Sequence, residues 1–144
     1  ACDRLCAWSD RWLLPLNVSK CILLRRMGND SKTIDSTYNI QVKNVTSCLK
    51  RVTSTKDLGV TVDENLNFKE HTTSKINKAF SMLGIIKRNF KHMDNDTLVR
   101  LYKSMVRSHL DYAVSVWAPY NKKLIDDIER VQRVATKLIR QCKG

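Results

Sequence analysis

A change of hydrophobic period at Asp63-Glu64-Asn65 constrains this chain more than any other feature. Before it, apolar residues come in short runs and alternations; after it, they return every three or four positions almost to the end. Side chains alternate along a strand but repeat every ~3.6 residues on a helix, so the two halves demand different backbones. Downstream, Ile76, Ala79, Phe80, Leu83, Ile86 and Phe90 line one helical face. Leu98, Leu101, Tyr102, Met105 and Val106 line a second, and Leu124, Ile125, Ile128, Val131, Ala135 and Leu138 a third. Asp94-Asn95-Asp96 offers N-cap oxygens to the second helix, and Pro119 with Asn121 separates it from the third. The expected fold is α+β, a small lobe with antiparallel strands over residues 1–65 followed by a three-helix bundle over 66–144.

Within the first lobe, residues 3–13 read as a helix whose apolar face carries Leu5, Trp8 and Trp12, stopped by Pro15. Because that spacing is already in place so soon after Ala1, with no initiator Met, the chain reads as a fragment. Cys21-Ile22-Leu23-Leu24 suits a buried strand ended by the turn signals Gly28-Asn29-Asp30, and Tyr38 to Val42 a second. Lys43 to Thr55, rich in Ser, Thr and Lys, predicts an irregular connection with at most one short strand pairing. Leu58-Gly59-Val60-Thr61-Val62 is a further strand, with Leu58, Val60 and Val62 facing a core.

Charge narrows the function. Of a net +12, residues 66–144 carry 16 basic and 7 acidic side chains, a net +9, against +3 for residues 1–65. Such an excess concentrates polyanions and favours nucleic acid, or an acidic surface, as partner; a merely solubilising surface is the alternative. No apolar run approaches the ~20 residues of a membrane span, and no signal peptide is visible. The five cysteines, Cys2, Cys6, Cys21, Cys48 and Cys142, form no C-x-x-C pair and have no His at zinc spacing. Free thiols of a cytoplasmic or nuclear protein are the simplest reading. The N-x-S/T sequons at Asn17, Asn29, Asn44 and Asn95 then have no route to glycosylation.

Several segments fall into an ordered series. Trp12-Leu13 leads to Leu16-Asn17-Val18-Ser19-Lys20-Cys21, and Lys56-Asp57-Leu58-Gly59-Val60-Thr61-Val62-Asp63 is followed by Leu66-Asn67-Phe68 and His71. Leu101-Tyr102-Lys103-Ser104-Met105-Val106-Arg107 precedes Leu110-Asp111-Tyr112-Ala113 with Trp117, Pro119 and Tyr120, and Ile128-Glu129-Arg130-Val131-Gln132-Arg133 with Ala135-Thr136 ends the series. In this order and spacing they resemble the reverse transcriptases of non-LTR retrotransposons, the jockey-type and related LINE elements. The resemblance spans about Leu5 to Ile139, from the end of the palm through the thumb.

The resemblance implies a piece of an RNA-directed DNA polymerase whose partners are an RNA/DNA primer–template and the upstream fingers and palm, with no membrane. It assigns Lys20 to the late palm motif whose lysine approaches the incoming nucleotide's phosphates, where an ammonium can act as general acid. It makes Leu58, Gly59 and Val60 the primer-grip-like hairpin, and Gly59 suits close backbone approach to a sugar-phosphate. The three helices become the thumb, with Lys75, Lys78, Lys87, Arg88 and Lys91, then Arg130, Arg133 and Lys137 at i, i+3 and i+7, meeting phosphates. About six such contacts would lower log K by ~5 per tenfold rise in salt. The chain departs from the family at Ser108, where a proline is usual and whose loss is expected to remove a helix distortion, and in a longer Tyr38–Lys56 linker.

The parent enzyme would use Mg held by carboxylates from an upstream strand and an aromatic-x-Asp-Asp hairpin. Neither motif occurs here, so no cofactor is expected in this chain and it should not polymerise alone. Asp126-Asp127 reads as acidic residues at a helix start. His71, His92 and His109 are dispersed and read as exposed or satisfied helix residues. A small basic RNA-binding or protein-interaction module derived from such an element, or an inert translated relic, stays open beside the polymerase reading.

Overall fold

The computed structural model describes residues 2–25, 37–42, 45–90 and 94–141. The Gly28-Asn29-Asp30 turn, Lys91, His92 and Cys142 lie outside them. The chain is α+β and divides into two compact units, residues 1–56 with 62–66, and residues 57–61 with 67–144. The pentapeptide Asp57–Thr61 thus groups with the helices.

In the first unit, α1 spans Cys2–Arg11 and a 3-10 turn Val18–Lys20. Its reversal is held by the buried Ser9, whose hydroxyl donates to the Leu14 carbonyl. The expected apolar face of α1 stays in solvent, with Trp8 48% and Trp12 61% exposed. Strand β1 (Ile22–Leu24) pairs with β4 (Lys50–Val52) in parallel, Leu23 opposite Arg51. Strands β2 (Asn39–Val42) and β3 (Val45–Cys48) are antiparallel, Ile40 opposite Ser47, and Ile40 is buried. The expected antiparallel strands are present in β2–β3, beside the parallel β1–β4 pair. One expectation is corrected: the Lys43–Thr55 stretch holds β3, β4 and the start of β5 (Ser54–Asp57) rather than one short pairing. Its Val and Thr residues suit extended backbone, and each strand's partner supplies the ladder that composition alone hides.

Strand β6 is Val60–Asp63, paired with β5 across Leu58–Gly59. The expected strand Leu58–Val62 therefore starts two residues late, because Leu58 and Gly59 have φ of 43° and 82°. Two consecutive positive φ values make the tight two-residue turn that matches strand twist, a conformation glycine adopts freely and leucine only with strain.

The second unit is helical. Helix α2 runs Lys69–Asn89, α3 Asn95–Leu101, α4 Ser108–Asp111, α5 Val114–Trp117 and α6 Lys122–Gln141. Ile76, Ala79, Leu83 and Ile86 of α2 pack with Leu98, Val106 and Leu110, and with Val131 and Ala135 of α6. These belong to the three periodic faces of the sequence, although Phe90 and Ile125, expected on them, are exposed; each buried aliphatic side chain contributes about 1.5–3 kcal/mol. Asp94 caps α3, accepting from the Thr97 amide at 2.9 Å, and the Thr97 hydrogen bonds hold its carboxyl below the ordinary value.

Between α3 and α4 lies a π-helical segment, Tyr102–Arg107. Serine at position 108 thus leaves the helix distorted, contrary to expectation. The cause lies in the core spacing. Leu98, Val106 and Leu110 stand at i, i+8 and i+12, which at ~100° per residue would place Leu110 about 120° from Leu98. A π turn absorbs one extra residue, so the three behave as i, i+7 and i+11 and all reach the core. Ser104 and Ser108 hydroxyls donate to the carbonyls of Arg100, which precedes the widened turn, and Ser104, which lies within it.

Two outcomes follow. Leu83→Ala should lower the unfolding free energy by about 3 kcal/mol in a urea titration. Asp94 stabilises in its charged form, so its contribution is complete above the ordinary carboxylate range and lost as pH falls through the lowered folded value. Asp94→Asn, which keeps an acceptor, should flatten the acid limb of the melting-temperature profile; an unaltered limb would assign that dependence elsewhere.

Candidate nucleic-acid interface

The hairpin turn is held by a closed circuit of contacts within the second unit. The Thr61 amide donates to His71 Nδ1 at 3.0 Å. An accepting Nδ1 places the ring proton of neutral His71 on Nε2. The imidazole, 2% exposed, meets the Trp117 ring edge-on at 5.3 Å. Trp117 Nε1 donates to the Tyr112 carbonyl at 2.7 Å, and Tyr112 Oη reaches back to donate to the Leu58 carbonyl at 2.6 Å. The sequence makes the closure possible at Ala113, whose φ of 53° reverses the chain so that the one-turn α5 returns Trp117 beneath Tyr112.

This circuit gives the three hairpin residues different duties. Val60 is buried, 5% exposed, and anchors the turn. Leu58, expected in the core, is instead 85% exposed. It sits on the first left-handed position of the turn, and its side chain projects while its carbonyl is tied down. Gly59 does permit close approach, but what approaches is Tyr112: a Cβ on Gly59 would lie 3.4 Å from Cε1 of that ring. The Lys75 ammonium sits over the same ring, 5.4 Å from its centroid.

The basic candidates separate into sets. At ~100° per residue, Arg130, Arg133 and Lys137 fall within about 60° of one another on α6 and roughly opposite Val131 and Ala135. All three are exposed, and α6 is long enough, at about 30 Å, to follow a backbone. Arg133 reaches Glu129 at 3.5 Å, a pair in which both side chains are mostly exposed and which therefore restrains the guanidinium only weakly. Arg130 lies over the Phe80 ring, 5.9 Å from its centroid, so α2 holds one guanidinium in place. A shallow open hollow beside Arg133 and Lys137 is lined by Glu129, Gln132 and Thr136.

Helix α2 does not gather its candidates. Lys75 and Lys78 are about 60° apart, but Lys87 lies about 120° from Lys75 and 180° from Lys78. Lys87 and Arg88 occupy the last turn, where cations favour the helix dipole, and Arg88 Nε donates to the Gly84 carbonyl. Lys20 ends the exposed 3-10 turn of the first unit, rather than lying on a strand edge.

Asp126 and Asp127 lie beyond the first turn of α6, which holds no acidic residue; Asn121 Oδ1 accepts from the Lys123 amide instead. This corrects their reading as helix-start acids. Adjacent residues on a helix diverge by ~100°, so the pair does not converge on one ion. Among the described residues no group of three or more His, Cys, Asp or Glu side chains is placed to hold a metal, and no helix is long and apolar enough to cross a membrane. Cys2, Cys6, Cys21 and Cys48 are free thiols.

The residues without an assigned role in the sequence were the bracing ones, His71, Tyr112 and Trp117. The one sequence signal for them was Gly59 within a β-branched run, which marks close approach without naming the approaching side chain. Replacing His71 by Phe keeps a ring against Trp117 but strands the Thr61 amide. It should cost about 1–2 kcal/mol by urea titration of the full chain, and a neutral result would remove His71 from the brace. Comparison with known protein families, with curated proteins and with solved structures returns no match for this chain.

Proposed function

We propose that this chain is the palm-end and thumb portion of a non-LTR retrotransposon reverse transcriptase, and that its work is to hold a primer–template duplex. In this reading the first unit and the hairpin continue the palm, and the helical unit is the thumb. The observation that carries the proposal is the α6 face, where Arg130, Arg133 and Lys137 stand together opposite the buried face in a chain of net charge +12. Such a row meets phosphates without reading bases, as a polymerase grip must, since it serves every sequence equally. The spacing of three cations over about 10 Å of helix suits successive backbone phosphates.

Arg130 is the strongest of the three on physical grounds. Stacked on Phe80, it is already ordered before a ligand arrives, so less rotamer entropy is lost on binding. Lys75 adds a charge near the hairpin turn. Lys87 and Arg88 contribute to the general field more than to a defined contact, and Lys20 keeps its proposed role toward nucleotide phosphates in the first unit. The exposed Leu58 with the Gly59 backbone is the part that would meet the primer end. Mg, bound by carboxylates of the parent enzyme, would supply the polymerising chemistry, and this chain holds the substrate for it.

Binding of the full chain to a labelled RNA/DNA hybrid across a salt series tests the reading. Each phosphate contact contributes ~0.9 to the slope of log K against log salt, so replacing Arg130, Arg133 and Lys137 together by Ala should shrink that slope by about 2 to 3. A folded triple variant with the wild-type slope would sink the assignment of α6 as the gripping face. A folded wild-type chain that binds no hybrid would sink the proposal.

A further inference from the structure

The hairpin turn is built differently from a turn that merely connects two strands. Its first central residue is a leucine in left-handed backbone, which is strained for leucine and leaves the side chain in solvent. A short polar residue such as Asn would fit that position better. The turn is nevertheless kept in place from outside the hairpin, by a side chain 54 residues downstream.

Four of the contacts that Tyr112 makes each have a distinct consequence. Its hydroxyl fixes the Leu58 carbonyl, which orients the peptide leading into Gly59. Its ring edge lies against Gly59, where a Cβ would come within 3.4 Å of Cε1. Its ring seats the Lys75 ammonium. Its own carbonyl is tied to buried Trp117, so it is anchored on the helical core rather than on the hairpin.

From this geometry we infer that Tyr112 is a positioning residue that presents the Leu58–Gly59 turn and the Lys75 ammonium together, as one fixed unit, to the end of a nucleic-acid strand. The inference rests on the reading above that the turn meets a strand end. It goes beyond that reading in naming the group that sets the turn's orientation and couples it to a cation. A 2.6 Å hydrogen bond from a phenol to a turn carbonyl leaves little freedom for the peptide plane, and the same ring limits where Lys75 can point. An exposed apolar side chain and an ammonium, both held on one tyrosine, suit a nucleoside whose sugar or base face is apolar and whose 5′ side carries a phosphate.

The test compares two RNA/DNA hybrids with the full chain, one with a recessed DNA 3′ end and one closed by loops at both ends so that no strand end exists. The ratio of the two affinities measures end preference. Wild type should prefer the recessed end, and Tyr112→Phe, which removes only the hydroxyl, should reduce that ratio by about five- to tenfold, the equivalent of one hydrogen bond. Amide exchange at Gly59 and Val60 should quicken in the same variant. Tyr112→Leu, which also unseats Lys75, should reduce the ratio at least as far.

A purely stabilising tyrosine would behave otherwise, lowering the melting temperature while folded molecules kept the wild-type ratio. A wild-type ratio in Tyr112→Phe with faster exchange at the turn therefore overturns the positioning role. A wild-type chain that binds both hybrids equally also overturns it and leaves duplex holding intact. Failure of wild type to bind either hybrid removes both readings.

Discussion

The Thr61 amide to His71 Nδ1 hydrogen bond is the contact on which the arrangement of the helical unit's exposed end depends. It is the point where extended backbone is fastened to the first turns of a long helix by a buried, oriented ring. Around it the Trp117 ring, the Tyr112 carbonyl, the phenol and the Leu58 carbonyl complete a loop of neighbours drawn from three separated segments. A buried polar ring is costly unless its nitrogen is satisfied, so the imidazole and the turn hold each other in place. Because every member touches the next, a change at one is felt at the turn, and the individual contributions are not expected to add.

The charges are organised by the same logic of restraint. Arg130 is held by an aromatic ring from a neighbouring helix, Lys75 by another, and Arg133 only by a weak exposed partner one turn away. The two aromatic seats belong to the helical unit, so two of the cations are biased toward positions over it rather than spread evenly through solvent. Under the proposed function, a grip on a stiff polyanion would gain from this mixture, seated cations defining a path and mobile ones following the backbone along it.

Much of the fold was legible because burial periodicity is a local property. The α2 and α6 faces, the break at Pro119 and the Asp94 cap were each visible within a window of one or two turns, as was the change from strands to helices near Asn65. What escaped notice depended on distant partners. Leu58 looked like a core residue in an apolar run, yet two adjacent positive φ values, made possible by Gly59, turned it outward. The parallel pairing of β1 with β4 joins segments separated by the whole β2–β3 hairpin, and no local pattern records such a partner. The candidate site followed the same division. The row Arg130, Arg133 and Lys137 was readable from spacing, while His71, Trp117 and Tyr112 acquire a role only when three separated segments meet.

The π segment at Tyr102–Arg107 carries a different lesson, about chain length. It stores one residue more than an α-helix of the same span would hold, and the widened turn takes up that surplus so that Val106 and Leu110 stay in line with Leu98. Removing one residue from the segment would leave a regular α-helix with those side chains facing nearly the same way, whereas inserting another that no turn absorbs would swing everything after it through about 100°. The two directions of length change are therefore unequal at this point. As such a protein diverges, this helix can lose its extra residue and keep its facing, but a further insertion would carry Tyr112, and with it the hairpin turn, to another face of the helical unit.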